Sequence, residues 1–322
     1  MSNELTLDRF LAAVESAGRA PSLHNSQPWR FRLQGGAMEV LADPDRRLPV
    51  ADPSGWAVRL ACGAAVFNAR VALAASETPV EVRLWPDPSE PHLLARLCPL
   101  PARRPTPADL ALHDAIGRRH SNRRPFAEVP VPAQSRARLI EAARAEGAWL
   151  DLLVGAGPLS AVGEIVHAAD RVLNRNPDYR TEIAAWTRRD AGAGDGLPVS
   201  AGGPTPEPHD LLAMRDFGGG PRAPGRDYET DPLVAILGTV GDTPIDQIVA
   251  GQALQRVLLT CTDAGLGSSL LSQPIEVPSA RERIRTALGR SGSPQMVIRI
   301  GYGDPAPATP RRPVLETVVE AN

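Results

Sequence analysis

Residues 20–31 read APSLHNSQPWRF, and the fold of the whole chain turns on how that stretch is interpreted. Ser22, His24, Asn25, Ser26 and Gln27 crowd polar side chains together, and Pro28 and Trp29 follow at once. That is too polar for a core and too aromatic for an ordinary turn. Upstream, Leu7, Phe10, Leu11, Val14 and Ala17 recur at helical spacing, with Thr6 placed to cap the helix and Gly18 to stop it. Downstream, WRFRLQGGAMEVLADP alternates on two arms about Gly35 and Gly36, the pattern of a hairpin. The stretch therefore joins a helix to a strand through side chains suited to a ligand.

The chain has 322 residues, 43% hydrophobic and 22% charged, with a formal net charge of -2. That is ample for a large core, in one domain or in two fused lobes. The near-neutral balance gives no electrostatic reason to expect nucleic acid or an anionic membrane as partner. No lysine occurs, so all 35 basic residues are arginine and any anion site must be built from guanidinium forks. Cys62, Cys98 and Cys261 lie far apart without a CxxC, which fits a reducing cytoplasm, and the six histidines show no metal-ligand spacing. The first residues lack the apolar run of a signal peptide. The most hydrophobic long stretch, 56–76, contains Arg59, Asn68 and Arg70, so it reads as a buried helix and not as a membrane span.

PVEVRLW and HLLARLCPL read as strands, and the Pro/Arg-rich stretch 99–107 reads as the connector between lobes at 1–105 and 106–322. In the second lobe, helices are expected near 109–119, 133–146, 158–175 and 244–264. Strands are expected in AWLDLLVG, DPLVAILGTVG and PQMVIRIGYG. Residues 187–230 are rich in Gly, Pro and Asp with little periodicity, as expected of a lid or binding loop. An internal echo is present: CGAAVFNARVALAAS and AGQALQRVLLTCTDA align without gaps, matching Gly63 with Gly251 and Ala65 with Ala253.

Three further stretches bear on chemistry. RRHSNRRPF, 118–126, gathers Arg118, Arg119, Arg123 and Arg124 around His120, Ser121 and Asn122. A helix C-terminus favours cations, which accounts for Arg118 and Arg119, while the continuation suits a phosphate dianion. In AGLGSSLLSQP, 264–274, Gly265 and Gly267 either cap a helix or let backbone approach a ligand. Arg311 and Arg312 stand in a Pro-rich tail. GAGPLS, 155–160, imitates a dinucleotide fingerprint but has Ser160 in place of the last glycine, and is not read as one.

APSLHNSQPWRF resembles the flavin-contacting motif of the nitroreductase superfamily, roughly APSxxNxQPWxF, and RRHSNRRPF resembles its RRSxRxF element. AGLGSSL, PQMVIRIGYG and the trailing RRP resemble its glycine turn, last core strand and phosphate-binding tail, in that order. Ordinary members are shorter chains forming homodimers with FMN at the interface, each subunit giving one of the two motifs. Here each motif occurs once, so the resemblance implies a fused pseudo-dimer with one flavin site. That arrangement is similar to the Acg subfamily, as is WTRRDAGAGDGLP.

The implied fold class is α+β: two nitroreductase-like lobes, each a mixed sheet packed with helices, with 187–230 as a lid. The implied cofactor residues are Pro21, Ser22, His24, Asn25 and Gln27 along the isoalloxazine, and Arg118, Arg119 and Ser121 at the phosphate and ribityl chain. Arg123 falls at the pyrimidine edge, Gly265 and Gly267 pass beside the flavin, and Arg311 and Arg312 complete the phosphate site. Trp29 is assigned a structural place, and His120 no catalytic one. No catalytic side chain and no metal are implied, because a flavin carries the electrons itself. The implied activity is FMN-dependent electron transfer from NAD(P)H to a small nitroaromatic, quinone or related acceptor. The competing implication is a flavin-sequestering protein with a closed lid and little turnover. A flavin-free interaction protein would leave the Arg and QPW clusters without a purpose. The chain is expected to act as a monomer, its lobes forming the internal pseudo-dimer, with further dimerisation open.

Overall fold

Helix α1 (Leu7–Gly18) starts where the Thr6 hydroxyl accepts a hydrogen bond from the Arg9 amide, and it buries Phe10, Ala13, Val14 and Ala17. The computed structural model describes residues 4–187, 192–225 and 227–320; residues 188–191 of the WTRRDAGAGDGLP stretch lie outside them. Strands β1 (Trp29–Gln34) and β2 (Ala37–Ala42) form the expected hairpin. Gly35 and Gly36 at its turn have φ of +57° and +68°, the two positive values a tight hairpin turn needs. Helix α2 (Trp56–Ala75), strands β3 (Val80–Leu84) and β4 (Leu93–Pro99), and helix α3 (Pro107–Arg118) follow.

The remainder runs through α4 (Ala133–Arg144), β5 (Trp149–Leu152), α5 (Ala156–Arg175) and α6 (Pro177–Trp186). Among the described residues, the insertion after α6 holds only one short 3-10 turn, Val199–Ala201. Then come β6 (Leu233–Thr239), α7 (Pro244–Asp263), β7 (Gly267–Leu271), α8 (Gln273–Glu276), α9 (Pro278–Ala287), β8 (Ser293–Gly301) and α10 (Val314–Thr317).

Among the described residues the strands form two four-stranded sheets, ordered β1-β2-β4-β3 and β5-β6-β8-β7. The second order repeats the first, and both second strands carry a bulge, at Val40/Leu41 in β2 and at Leu237/Gly238 in β6. The α+β, two-lobed fold expected above is thus present. Named strands pair antiparallel throughout; the parallel component expected of a mixed sheet is a single bridge at one edge of each. Val318 near the end of the chain bridges Phe31 in the first sheet, and Ser121 bridges Ser268 in the second.

One core lies between the first sheet and α1 and α2, with Phe10, Trp29, Phe31, Val40 and Leu97 in it. The other lies between the second sheet and α4, α5 and α7, with Leu139, Val166, Ile236, Leu258 and Ile298. Helices α2 and α7 pack against each other between the sheets and exchange side chains: Leu60 enters the second core, Ile248 the first. Helix α2 is long and apolar enough to cross a membrane, yet 89% of its apolar window is buried inside the protein, the place of a core helix.

Candidate functional site

A cavity opens where the two lobes meet. Its walls are the 21–25 turn, the first turns of α2, residues 119–123, the insertion at 197–217, β7 with the turn after it, and the tail at 309–311. Apolar Trp56, Leu60, Met214, Phe217, Leu254 and Met296 line it together with a small number of polar groups, the usual make-up of a small-molecule site.

The 20–31 stretch reaches this wall through an unusual backbone. His24, Asn25 and Gln27 all have positive φ, at +52°, +56° and +50°. Left-handed backbone at residues other than glycine costs on the order of 1 kcal/mol each and persists only where surrounding bonds fix it. Those bonds are present. The Gln27 amide donates to the Ser22 hydroxyl at 2.9 Å. The Asn25 side-chain amide donates to the carbonyls of Gly196 at 2.9 Å and Pro310 at 3.0 Å, and its oxygen accepts from Arg311 at 3.0 Å. Gln27 donates to the Gly194 carbonyl at 2.8 Å and accepts from the Arg312 amide at 2.9 Å. The motif thereby ties the insertion and the C-terminal tail to the first lobe.

Of the residues singled out from sequence, Pro21, Ser22, His24, Asn25, Arg119, Ser121, Arg123 and Arg311 line the cavity. Gln27, Arg118, Gly265, Gly267 and Arg312 do not, each for a visible reason. Gln27 is spent on Gly194 and Arg312. Arg118 sits on the last turn of α3, faces solvent and pairs with Asp114 one turn back. Gly265 has φ +71° with open space about its Cα, so it terminates α7. Gly267 is the first residue of β7; a Cβ there would stand 2.9 Å from the Phe126 ring, so the missing side chain makes room for Phe126. Arg312 donates to the Glu316 carbonyl and lies near Asp43. Trp29 is fully buried in the first core.

The electrostatics of the cavity are lopsided. Among the described residues, Arg119, Arg123 and Arg311 have no carboxylate partner. Arg119 donates to the Arg19 carbonyl at 3.0 Å, and Arg123 donates to the Ala201 carbonyl at 3.0 Å while lying over the Phe217 ring. Arg311 donates to Asn25, Thr309 and the Pro310 carbonyl. Burial pushes Arg119 and Arg123 down to about 10 and Arg311 down to about 9, with the neighbouring guanidinium groups adding to the fall for Arg123 and Arg311. All three stay cationic at neutral pH, and the buried Nε atoms of Arg119 and Arg311 have no hydrogen-bond partner among the described residues. Buried like charges with unsatisfied donors call for an anion.

Sequence reasoning missed Arg215 and Phe217 of the insertion. Arg215 donates to Glu276 at 2.7 Å and lies over the Tyr179 ring, and its other nitrogen stands 3.2 Å from His24 Nε2. It also missed Gln273 and the cavity-lining side of Ser269, although both fall in the glycine-serine stretch already singled out.

No family model matches the chain. It is 34% identical over 316 residues to the Mycobacterium tuberculosis protein named "Putative NAD(P)H nitroreductase Rv3131", covering 94% of this chain and 88% of that one. It is 32% identical over 324 residues to "Putative NAD(P)H nitroreductase acg" of the same species, covering 97% and 96%. Among solved structures it is similar to the FMN and NADPH-dependent nitroreductase NfnB from Sphigopyxis sp. strain HMH (TM-score 0.43, 19% identity, 66% of this chain and 99% of that chain). It is also similar to a nitroreductase with bound FMN from Bacteroides fragilis (TM-score 0.39, 13% identity, 63% and 93%).

Proposed function

The chain belongs to the NAD(P)H nitroreductase family of its mycobacterial relatives, and on that premise we propose that it is an FMN-dependent oxidoreductase. It would pass reducing equivalents from NAD(P)H to a small nitroaromatic, quinone or related acceptor. The observation that carries this reading is the trio of buried or half-buried guanidinium groups in one cavity, none with a carboxylate partner among the described residues. FMN offers the matching charges: a phosphate dianion at one end and, on reduction, a negative pyrimidine edge. Arg119 and Arg311 would hold the phosphate. Ser121 would meet the ribityl chain, and Arg123 the pyrimidine edge, where a fixed cation favours the reduced form. Ser22 and His24 would lie along the ring.

Bound there, FMN supplies the hydride and electron chemistry. The chain's own residues would position it, and Trp56, Met214 and Phe217 would help to exclude water. No side chain is assigned as acid, base or nucleophile. In this reading the lobes at 1–105 and 106–322 stand for the two subunits of a dimer that keeps one site, in a reducing cytoplasm.

A second reading, flavin sequestration with little turnover, is favoured by one observation. The insertion, which lines the cavity through Leu197, Met214, Arg215 and Phe217, is tied to the first lobe by Gln27 to Gly194, Asn25 to Gly196 and an Arg46–Asp195 ion pair. An anaerobic visible spectrum before and after NADPH separates the two. A flavin band that bleaches supports turnover, and a persistent band supports sequestration.

A further inference from the structure

Arg123 is half-buried in the cavity wall, and the hydrogen-bond and ring partners of its side chain among the described residues both come from the insertion. Its guanidinium donates to the Ala201 carbonyl at 3.0 Å and lies 4.8 Å from the centre of the Phe217 ring. Its own carbonyl accepts from the Tyr228 hydroxyl at 2.8 Å. Gly203 is pressed so close to that carbonyl that a Cβ there would stand 2.2 Å from the oxygen. Ala201, Gly203, Phe217 and Tyr228 all belong to the 187–230 stretch.

The insertion is built to hold these groups together. Phe217 packs with Leu197 and Ala201 in a small cluster of buried apolar side chains. Gly219 lies against the carbonyls of Gly202 and Gly203, where a Cβ would stand 2.9 Å and 2.1 Å from the two oxygens. Segments 197–203 and 217–219 therefore meet at Arg123. Phe217 also meets His24 edge-on with ring centroids 6.1 Å apart, so one ring contacts both the cation and the 21–25 turn.

The two side-chain partners share one property, neutrality. A carbonyl and a ring face attract a guanidinium and fix its direction, but neither carries a net charge. A carboxylate partner, as Glu276 is to Arg215 in the same wall, would cancel much of the field in the cavity. A guanidinium has five N–H donors, and the bonds to described residues use one. The insertion thus orients the cation and leaves its charge intact.

We propose that the insertion is a redox-tuning element, with Phe217 the positioning residue that keeps the Arg123 cation against the flavin and so raises the preference for reduced over oxidised FMN. This role differs from that of a lid, because it acts on the cofactor's potential and not on access. The proposal rests on the reading of the cavity as an FMN site with Arg123 at the pyrimidine edge.

The test uses the flavin-loaded protein, with the midpoint potential of the bound FMN measured anaerobically against a reference dye. Phe217→Leu should lower the preference for reduced FMN about tenfold, a fall of about 30 mV for a two-electron couple, the worth of one partly desolvated cation–π contact. Phe217→Tyr, which keeps the ring face, should stay within about threefold of wild type. Tyr228→Phe removes only the hydroxyl on the Arg123 carbonyl and should shift the preference the same way by about threefold. In an Arg123→Met background, Phe217→Leu should move the potential no further, because the cation it positions is gone.

An unchanged potential in Phe217→Leu would overturn the proposal even if FMN bound more weakly, since a merely structural role weakens both redox forms alike. An equal fall with and without Arg123 would also overturn it. Should Phe217→Leu fail to hold FMN, an unchanged potential in Tyr228→Phe would overturn it instead. A protein that takes up no FMN, or an Arg123→Met variant at the wild-type potential, would sink the underlying reading of the site and this proposal with it. A lowered potential in Arg123→Met beside an unchanged one in Phe217→Leu would sink the proposal alone.

Discussion

Gly63 of α2 and Gly251 of α7 face each other across the contact between the lobes. A Cβ on Gly63 would stand 3.0 Å from the Gly251 Cα, and one on Gly251 would stand 2.9 Å from the Gly63 Cα. Each would run still closer into a carbonyl one turn before the other glycine, that of Ile248 or Leu60. These are the two glycines that the sequence echo aligns, so the local two-fold of the lobes passes between them.

Gly63→Ala or Gly251→Ala must therefore push the helices apart. A cost of about 2 kcal/mol or more is expected from overpacking against backbone, read as a lowered urea midpoint. Gly117→Ala on α3, where nothing lies within 4 Å of the added carbon, should instead be neutral or stabilise by about 0.5 kcal/mol. Equal effects at the two places would contradict the close crossing.

His24 makes the native state sensitive to mild acid. Its pKa is held well below the usual 6.5 by burial, then by Arg215 and Arg123. Below pH 6.5 the unfolded chain takes up a proton that the native protein refuses, so stability falls as pH falls through that window. The loss for this one group reaches about 1 kcal/mol between pH 6.5 and 5.5. His120, also lowered, adds to it. Urea unfolding at pH 7.5 and 5.5 should show a smaller acid loss in His24→Asn than in wild type.

Arg311→Met and Arg119→Met should have opposite effects on binding and on the ligand-free protein. Each removes a charge-assisted donor, expected to weaken FMN by about 10- to 100-fold. Each also relieves repulsion among the cavity's cations, offset in Arg311→Met by loss of the bond that helps to hold Asn25, so unfolding without FMN should need about as much urea as wild type in that variant and as much or more in Arg119→Met. Weaker FMN binding together with a large loss of ligand-free stability would mean the arginines are structural.

The tie between the insertion and the first lobe can be loosened by a change at one residue. Asp195→Asn keeps the shape of the Arg46 contact and removes its charge. FMN release into excess apo-acceptor protein should speed up by about fivefold, the worth of about 1 kcal/mol from a partly buried ion pair. An unchanged release rate would mean that the insertion does not gate the site.

Much of this was legible in the chain, for physical reasons. The Gly35–Gly36 turn between alternating arms specifies its hairpin locally, and the apolar periodicities of α1, α2 and α7 need no partner to be seen. Strand β7 was hidden because GSSLL begins with glycine and serine; it is a strand only because β8 lies beside it and Phe126 fills the space over Gly267. Helix α6 carried a readable signal, Asn176 as cap before Pro177, which the run of α5 obscured.

In the site, residue types with intrinsic ligand chemistry were found, while their geometry was not. Asn25 and Gln27 look like ligand contacts in one dimension, and the fold also bonds their side chains to Gly194, Gly196, Pro310 and Arg312, all distant in sequence. Arg215 was invisible because its meaning depends on Glu276, Tyr179 and His24, none of them nearby in the chain.

The most direct test of the account is the FMN stoichiometry of the purified protein, from flavin absorbance after denaturation against protein concentration by amino-acid analysis. The account predicts one FMN for each 322-residue chain on saturation, and clear loss of it in the Arg119→Met, Arg311→Met double variant. Two FMN per chain, or none after incubation with excess FMN, would contradict it.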